Sequence, residues 1–295
     1  MNINIRGAWT ALITPFRNGA VDHPALRAIV ERQIELGIDG LVPCGTTGEA
    51  ATMTEDEQVA VIETVVQTAA GRVPVIAGTG SNDTARTIRF TKRVATIAGV
   101  DAALVVTPYY NKPGQAALVR HFTEVAEGGG LPVVLYNVPG RTGVSMSPEA
   151  VAALAEHPQI IAIKEATGDM ILATRIRELC GERLALFSGD DFTTLPFLAV
   201  GGVGCISVVS NLDPAGVAQM CAHAAANEWG RARELHYRMQ PLARALFADA
   251  NPVLVKTGVA QLGLCAAELR PPLYPPNEQL ADAVGRALRD LGLMR

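Results

Sequence analysis

Apolar residues along the chain fall into short β-branched runs that recur at a spacing of roughly thirty residues, with helical periodicity between them. The runs span residues 8–15, 40–45, 74–80, 102–109, 132–138, 160–166, 184–189 and 203–210. Segments such as 24–36, 55–70, 84–97 and 115–126 return their apolar positions at helical intervals. This alternation is the rhythm of repeated βα units. Eight units predict an α/β fold, a closed (β/α)8 TIM barrel, because an open doubly wound sheet of eight parallel strands is the less usual solution at 295 residues. Three more helical stretches, 228–247, 252–262 and 277–293, predict a C-terminal appended helical region. The expected organisation is a barrel over residues 1–227, followed by helices over 228–295.

One strand breaks the pattern. Ile160-Ile161-Ala162-Ile163 reads as a buried parallel strand, but Lys164 and Glu165 follow before the chain turns at Gly168-Asp169 into the next helix. Burying an ammonium is expensive, and burial favours the neutral amine. Either Lys164 serves as a neutral amine that attacks a carbonyl to form a Schiff base, or it pairs with Glu165 or snorkels to the strand end. The chain has only four lysines: Lys92, Lys112, Lys164 and Lys256. Lys92 has polar and charged neighbours, and Lys112 lies in a proline-flanked loop. Lys256 sits in the apolar run Pro252-Val253-Leu254-Val255 and competes by apolarity, but it belongs to the appended helices and is expected off the barrel rim. Lys164 is the only lysine in a predicted barrel strand.

Composition narrows the chemistry. Lys+Arg of 25 against Asp+Glu of 29 gives a net charge of −4, and no basic run could track a phosphate backbone, so nucleic acid is not an expected partner. Residues 1–9 lack the pattern of a secretory signal, and no stretch has the ~18 apolar residues of a membrane span, so a soluble cytoplasmic protein is expected. The five cysteines are widely spaced with no C-x-x-C pair, and read as reduced small hydrophobes. His23, His121, His157, His223 and His236 do not repeat at metal-ligand spacing, so neither a metal nor a histidine base is expected.

In such a barrel the chemistry lies at the C-terminal strand ends. The second run is followed by Gly45-Thr46-Thr47-Gly48-Glu49, which presents hydroxyls and backbone N–H groups between glycines. That loop is either a carboxylate cradle or a glycine turn whose Glu49 begins capping the next helix. Tyr109, Tyr110 and Tyr136, three of only five tyrosines, also fall at strand ends. With no histidine at hand, hydroxyls could pass the protons that imine chemistry requires. Arg141 is suited to a bidentate carboxylate contact or, alternatively, to a surface salt bridge.

These residues resemble the pyruvate-dependent class I aldolases and lyases built on a (β/α)8 barrel. The resemblance runs from about Gly7 to Leu293 and includes GTTGE at 45–49, VIAGTG at 75–80, TPYYNKP at 107–113, YNVPGRTG at 136–143, KEATGD at 164–169 and SGDD at 188–191. It implies that Lys164 forms an imine with pyruvate and that Tyr136 is the central acid and base. It gives Thr46 and Tyr110 the rest of a proton relay, Thr47 the pyruvate carboxylate and Arg141 the carboxylate of L-aspartate 4-semialdehyde, with the backbone at Gly189 and Ile206 lining the pocket. No cofactor is implied. A homo-oligomer is, as a dimer of dimers, because relatives supply the residue at Tyr110 to a neighbouring subunit. Relatives inhibited by lysine bind it with residues that correspond here to Asn82 and Tyr109, which are kept, and to Glu55, Gln58 and Arg86, which depart from the pattern. Arg86 stands where those relatives place an acid, so insensitivity to lysine is expected. Two alternatives remain: a sister lyase acting on N-acetylneuraminate or a 2-keto-3-deoxy sugar acid, and a non-catalytic metabolite-binding barrel.

Overall fold

The computed structural model describes residues 5–294; the first four residues of the 1–9 stretch read above, and Arg295, lie outside it. Eight strands form one sheet: β1 (Gly7–Ala11), β2 (Gly40–Val42), β3 (Ile76–Gly78), β4 (Ala102–Val106), β5 (Val133–Asn137), β6 (Ile160–Glu165), β7 (Ala185–Ser188) and β8 (Gly204–Ser207). Their order is β2-β1-β8-β7-β6-β5-β4-β3. A parallel bridge between Leu41 and Val75, with Gly78 N–H donating to the Pro43 carbonyl at 2.9 Å, joins the two ends and closes the barrel.

Helices cross between the strands: α1 (His23–Glu35), α2 (Glu55–Ala69), α3 (Thr84–Ala95), α4 (Gln115–Gly128), α5 (Pro148–Leu154), α6 (Met170–Cys180), α7 (Thr194–Ala199) and α8 (Pro214–Ala225). Their starts are written in the sequence. Thr54 and Glu57 form a reciprocal capping box on α2, and Asp83, Ser147 and Asp169 cap α3, α5 and α6. The appended helices are α9 (Trp229–Leu246), α10 (Val253–Gln261) and α11 (Glu278–Asp290).

The strands begin close to their predicted starts and stop short of their predicted ends. β1 ends at Ala11 rather than 15, β4 at Val106 rather than 109, and β8 at Ser207 rather than 210. Apolarity continues past the last ladder bond because the rim residues are buried under the βα loops, while Pro15, Pro43 and Pro108 supply no N–H to a neighbour.

Alternation along each strand divides the core in two. Trp9, Ile76, Val134, Tyr136, Ala162, Phe187 and Ile206 fill the barrel, with Trp9 and Phe187 meeting edge to face at 5.9 Å. Leu135, Ile163 and Leu186 face the helices. This parity places Lys164, two residues after Ala162, inside the barrel, and sends Glu165 outward.

Candidate active site

At the C-terminal rim a cavity of about 460 Å³ opens between the loops after β2, β3, β4 and β5 and the segment Ala250–Pro252 that leads into α10. Thr46, Tyr136 and Arg141 line it, and so do Tyr109, Glu55, Gln58 and Arg86. Lys164, Thr47, Gly189, Ile206, Asn82 and Tyr110 are not on its wall.

Lys164 lies just behind Tyr136. In the ladder it is the register partner of Tyr136 on one side and Phe187 on the other. It is 5% exposed, and its Nζ, 4.4 Å from the Tyr136 ring centroid, has no ion-pair or hydrogen-bond partner among the described residues. Gly189 is what lets it fit: a Cβ there would stand 2.9 Å from Lys164 Cε. Glu165, offered by the sequence as a partner, is engaged elsewhere. It accepts from Asn137 Nδ2 at 3.2 Å, Thr167 N–H at 3.0 Å and Thr167 Oγ1 at 2.7 Å. Burial pushes its carboxyl above the usual range, and those hydrogen bonds pull it back.

The loop after β2 has the features of an anion cradle. The N–H groups of Gly48, Glu49 and Ala50 close turns within the loop, whereas those of Thr46 and Thr47 have no acceptor among the described residues. Thr47 is buried, and its Oγ1 accepts from Asn251 Nδ2 at 2.9 Å. Glu49 does not cap the next helix; Thr54 does. Instead Glu49 is buried, forms an ion pair with Lys256 and accepts the Arg270 N–H at 3.0 Å. Lys256 is therefore not off the rim, as its place in the appended helices suggested. It is fully buried beneath the loop, with Nζ 4.1 Å from the Phe16 ring centroid. Burial lowers its pKa and the Glu49 charge raises it again.

Arg141 is exposed, sits on a short helical turn (Pro139–Thr142) and donates to the Asn251 carbonyl at 3.1 Å. It has no carboxylate partner among the described residues, so the salt-bridge reading finds no support. Tyr110 is 88% exposed with φ of 73°, and it does not line the cavity of its own chain. Arg86 pairs with Glu55 at 3.1 Å, Gln58 Nε2 bonds the carbonyls of Ala50 and Met53, and Asn82 gives its carbonyl to Asn111.

Asn251 and Arg270 escaped the sequence reading, and so did the pairing of Lys256 with Glu49. A lysine within an apolar helical run needs a buried partner, and that signal could have found the Glu49 pair. Asn251 had no such mark. Among the described residues no three His, Cys, Asp or Glu side chains converge as metal ligands would, and no helix is long and apolar enough to cross a membrane.

Residues 4–291 match the Dihydrodipicolinate synthetase family. The 4-hydroxy-tetrahydrodipicolinate synthase of Pelobacter propionicus is 49% identical over 289 residues, covering 98% of this chain and 99% of that one. The crystal structure of the chloride-inhibited dihydrodipicolinate synthase from Acinetobacter baumannii complexed with pyruvate is similar at TM-score 0.96 and 40% identity, over 98% of this chain and 100% of that one. The enzyme from Cyanidioschyzon merolae with lysine bound is similar at 0.95 and 38%, over 98% and 99%. With a closed barrel that superposes on theirs and sequence identity running nearly end to end, the chain belongs to the dihydrodipicolinate synthetase family.

Proposed function

We propose that the protein is a lyase that condenses pyruvate with L-aspartate 4-semialdehyde to 4-hydroxy-tetrahydrodipicolinate, the branch-point step toward diaminopimelate and lysine. The observation that carries the reading is Lys164: a buried lysine on a barrel strand, with no carboxylate partner among the described residues, against the ring of a tyrosine that faces the cavity.

The neutral Lys164 amine attacks the pyruvate ketone, water leaves, and an imine forms. Loss of a methyl proton gives the enamine, which attacks the aldehyde carbon. The amino group of the bound semialdehyde then displaces Lys164 by transimination as the ring closes. Tyr136 and Thr46, both on the cavity wall, are suited to carry these protons, since neither hydroxyl is tied to another side chain among the described residues. The free N–H groups of Thr46 and Thr47 suit the pyruvate carboxylate. Arg141, at the mouth, suits the carboxylate of the second substrate. Tyr110 completes the relay from a neighbouring copy, so the working unit is at least a dimer and the full assembly a dimer of dimers; its exposure in the single chain supports this.

Regulation follows from Arg86. Its guanidinium holds the Glu55 carboxylate, so an incoming ammonium meets a cation and a carboxylate already in use. A like charge at ~4 Å costs on the order of 4 kcal/mol at an effective dielectric of about 20. Half that, for a half-exposed side chain, weakens binding more than tenfold. The enzyme is therefore insensitive or weakly sensitive to L-lysine.

Arg141 disfavours the sister lyases, which face a polyhydroxyl chain rather than a short amino acid. A coupled assay tests the choice. Turnover of pyruvate with aspartate semialdehyde, and none with N-acetylneuraminate or 2-keto-3-deoxy sugar acids, is expected; the reverse preference would overturn the reading.

A further inference from the structure

Lys256 is among the most deeply buried side chains of the chain, yet it stands outside the reaction described above. It lies on α10, in the appended region, and its ammonium pairs with Glu49, which ends the Gly45–Glu49 loop that presents Thr46 and Thr47. Glu49 is itself in the left-handed region at φ of 54°, a conformation that a non-glycine residue holds only where its surroundings fix it. Those surroundings come from the appended region. Lys256 takes one carboxylate oxygen, the Arg270 N–H takes the other, and the Arg270 guanidinium reaches back to Glu57 in the first turn of α2, at 2.6 and 2.8 Å. Asn251 adds the bond to Thr47 Oγ1. Phe16 fills the space beneath, with Lys256 Nζ 4.1 Å and the Arg270 guanidinium 4.4 Å from its ring centroid. The loop's own turns involve only its backbone, and Thr14 Oγ1 and Thr52 Oγ1 donate to the Gly48 and Glu49 carbonyls at 2.8 and 3.1 Å, whereas the side chains of Thr47 and Glu49 are held by this set of contacts from a distant part of the chain.

We infer that Lys256 is a positioning residue: through Glu49 it fixes the Gly45–Glu49 loop in the geometry that receives the pyruvate carboxylate, so the appended helices set affinity for the first substrate. The inference rests on the functional reading above. It assigns no role at Arg141, whose contact is the Asn251 backbone carbonyl and not the Lys256–Glu49 pair. The two substrates should therefore respond differently when Lys256 is changed.

Lys256→Met removes the charge and keeps most of the volume. In the full-length enzyme we expect the pyruvate KM to rise at least fivefold and imine formation in single turnover to slow, while the semialdehyde KM stays within twofold. If the pair merely supports the fold, kcat falls with the folded fraction and both KM values stay at the wild-type level, which would overturn the inference. Wild-type kinetics would overturn it as well. Should Lys256→Met not fold, Glu49→Gln keeps the shape of the acid and the Arg270 contact while weakening the tie. It carries the same test, with a selective rise in pyruvate KM as the supporting result and unchanged KM values as the opposing one. Wild-type protein that forms no pyruvate adduct would defeat the functional reading itself, and this inference with it.

Discussion

Lys164 and Lys256 are both buried, and a carboxylate separates their roles. Glu49 pairs with Lys256, whereas no acid among the described residues reaches Lys164. In the sequence the two looked alike by apolarity, and only strand membership distinguished them. Parity settled the Lys164–Glu165 question, since consecutive strand residues face opposite sides of the sheet and an ion pair between them would require one to turn back. Arg141 stood out in the sequence as a candidate carboxylate binder, but its contact in the fold did not. A contact to the Asn251 carbonyl joins positions far apart in sequence and leaves no local pattern. Arg141→Ala should raise the semialdehyde KM while pyruvate-dependent adduct formation survives; an equal loss of adduct in a trapping assay would assign Arg141 a structural role. Arg86 makes a separate prediction. Activity titrated against L-lysine at subsaturating pyruvate should show no half-inhibition at sub-millimolar lysine, and Arg86→Glu should gain sensitivity.

Helices were recovered from periodicity because each buries one face, and strands from short apolar runs because both of their faces are buried; both constraints are local. The Thr54-x-x-Glu57 cap that starts α2 is equally local, although Glu49 was the cap offered by the sequence. Strand ends were not legible, because the rim residues remain apolar after the ladder stops. The consequence of burial for His121 also appears only in three dimensions. On α4 its Nδ1 meets Thr84 Oγ1 from α3 at 2.8 Å, its ring packs edge-on to Phe122, and its Nε2 has no hydrogen-bond partner among the described residues. Burial lowers its pKa from 6.5 to about 4. A base with a depressed folded-state pKa is neutral in the fold and protonates first in the unfolded chain. Its contribution to stability is therefore complete above pH 6.5 and is lost as the pH falls toward about 4. The loss at the lower end is about 3 kcal/mol by linkage. Urea unfolding at pH 7 and pH 4 should show a smaller acid destabilisation in His121→Gln than in wild type; equal pH dependence would contradict this placement of the ring.

At the level of the whole molecule, one cavity gathers groups from the loops after β2, β3, β4 and β5 and from the segment before α10, so no single stretch of sequence contains the site. On the proposed reading, Tyr110 marks where one chain stops being sufficient. Mixing Tyr110→Phe with Lys164→Ala under subunit-exchange conditions should restore part of the activity, and no recovery despite proven exchange would place the complete site within one chain. The claim on which the rest depends is the covalent bond to Lys164. Borohydride reduction in the presence of pyruvate, followed by peptide mass spectrometry, should find a three-carbon adduct on Lys164 and none on Lys256. An adduct on Lys256, or no pyruvate-dependent mass increase at all, would contradict the account.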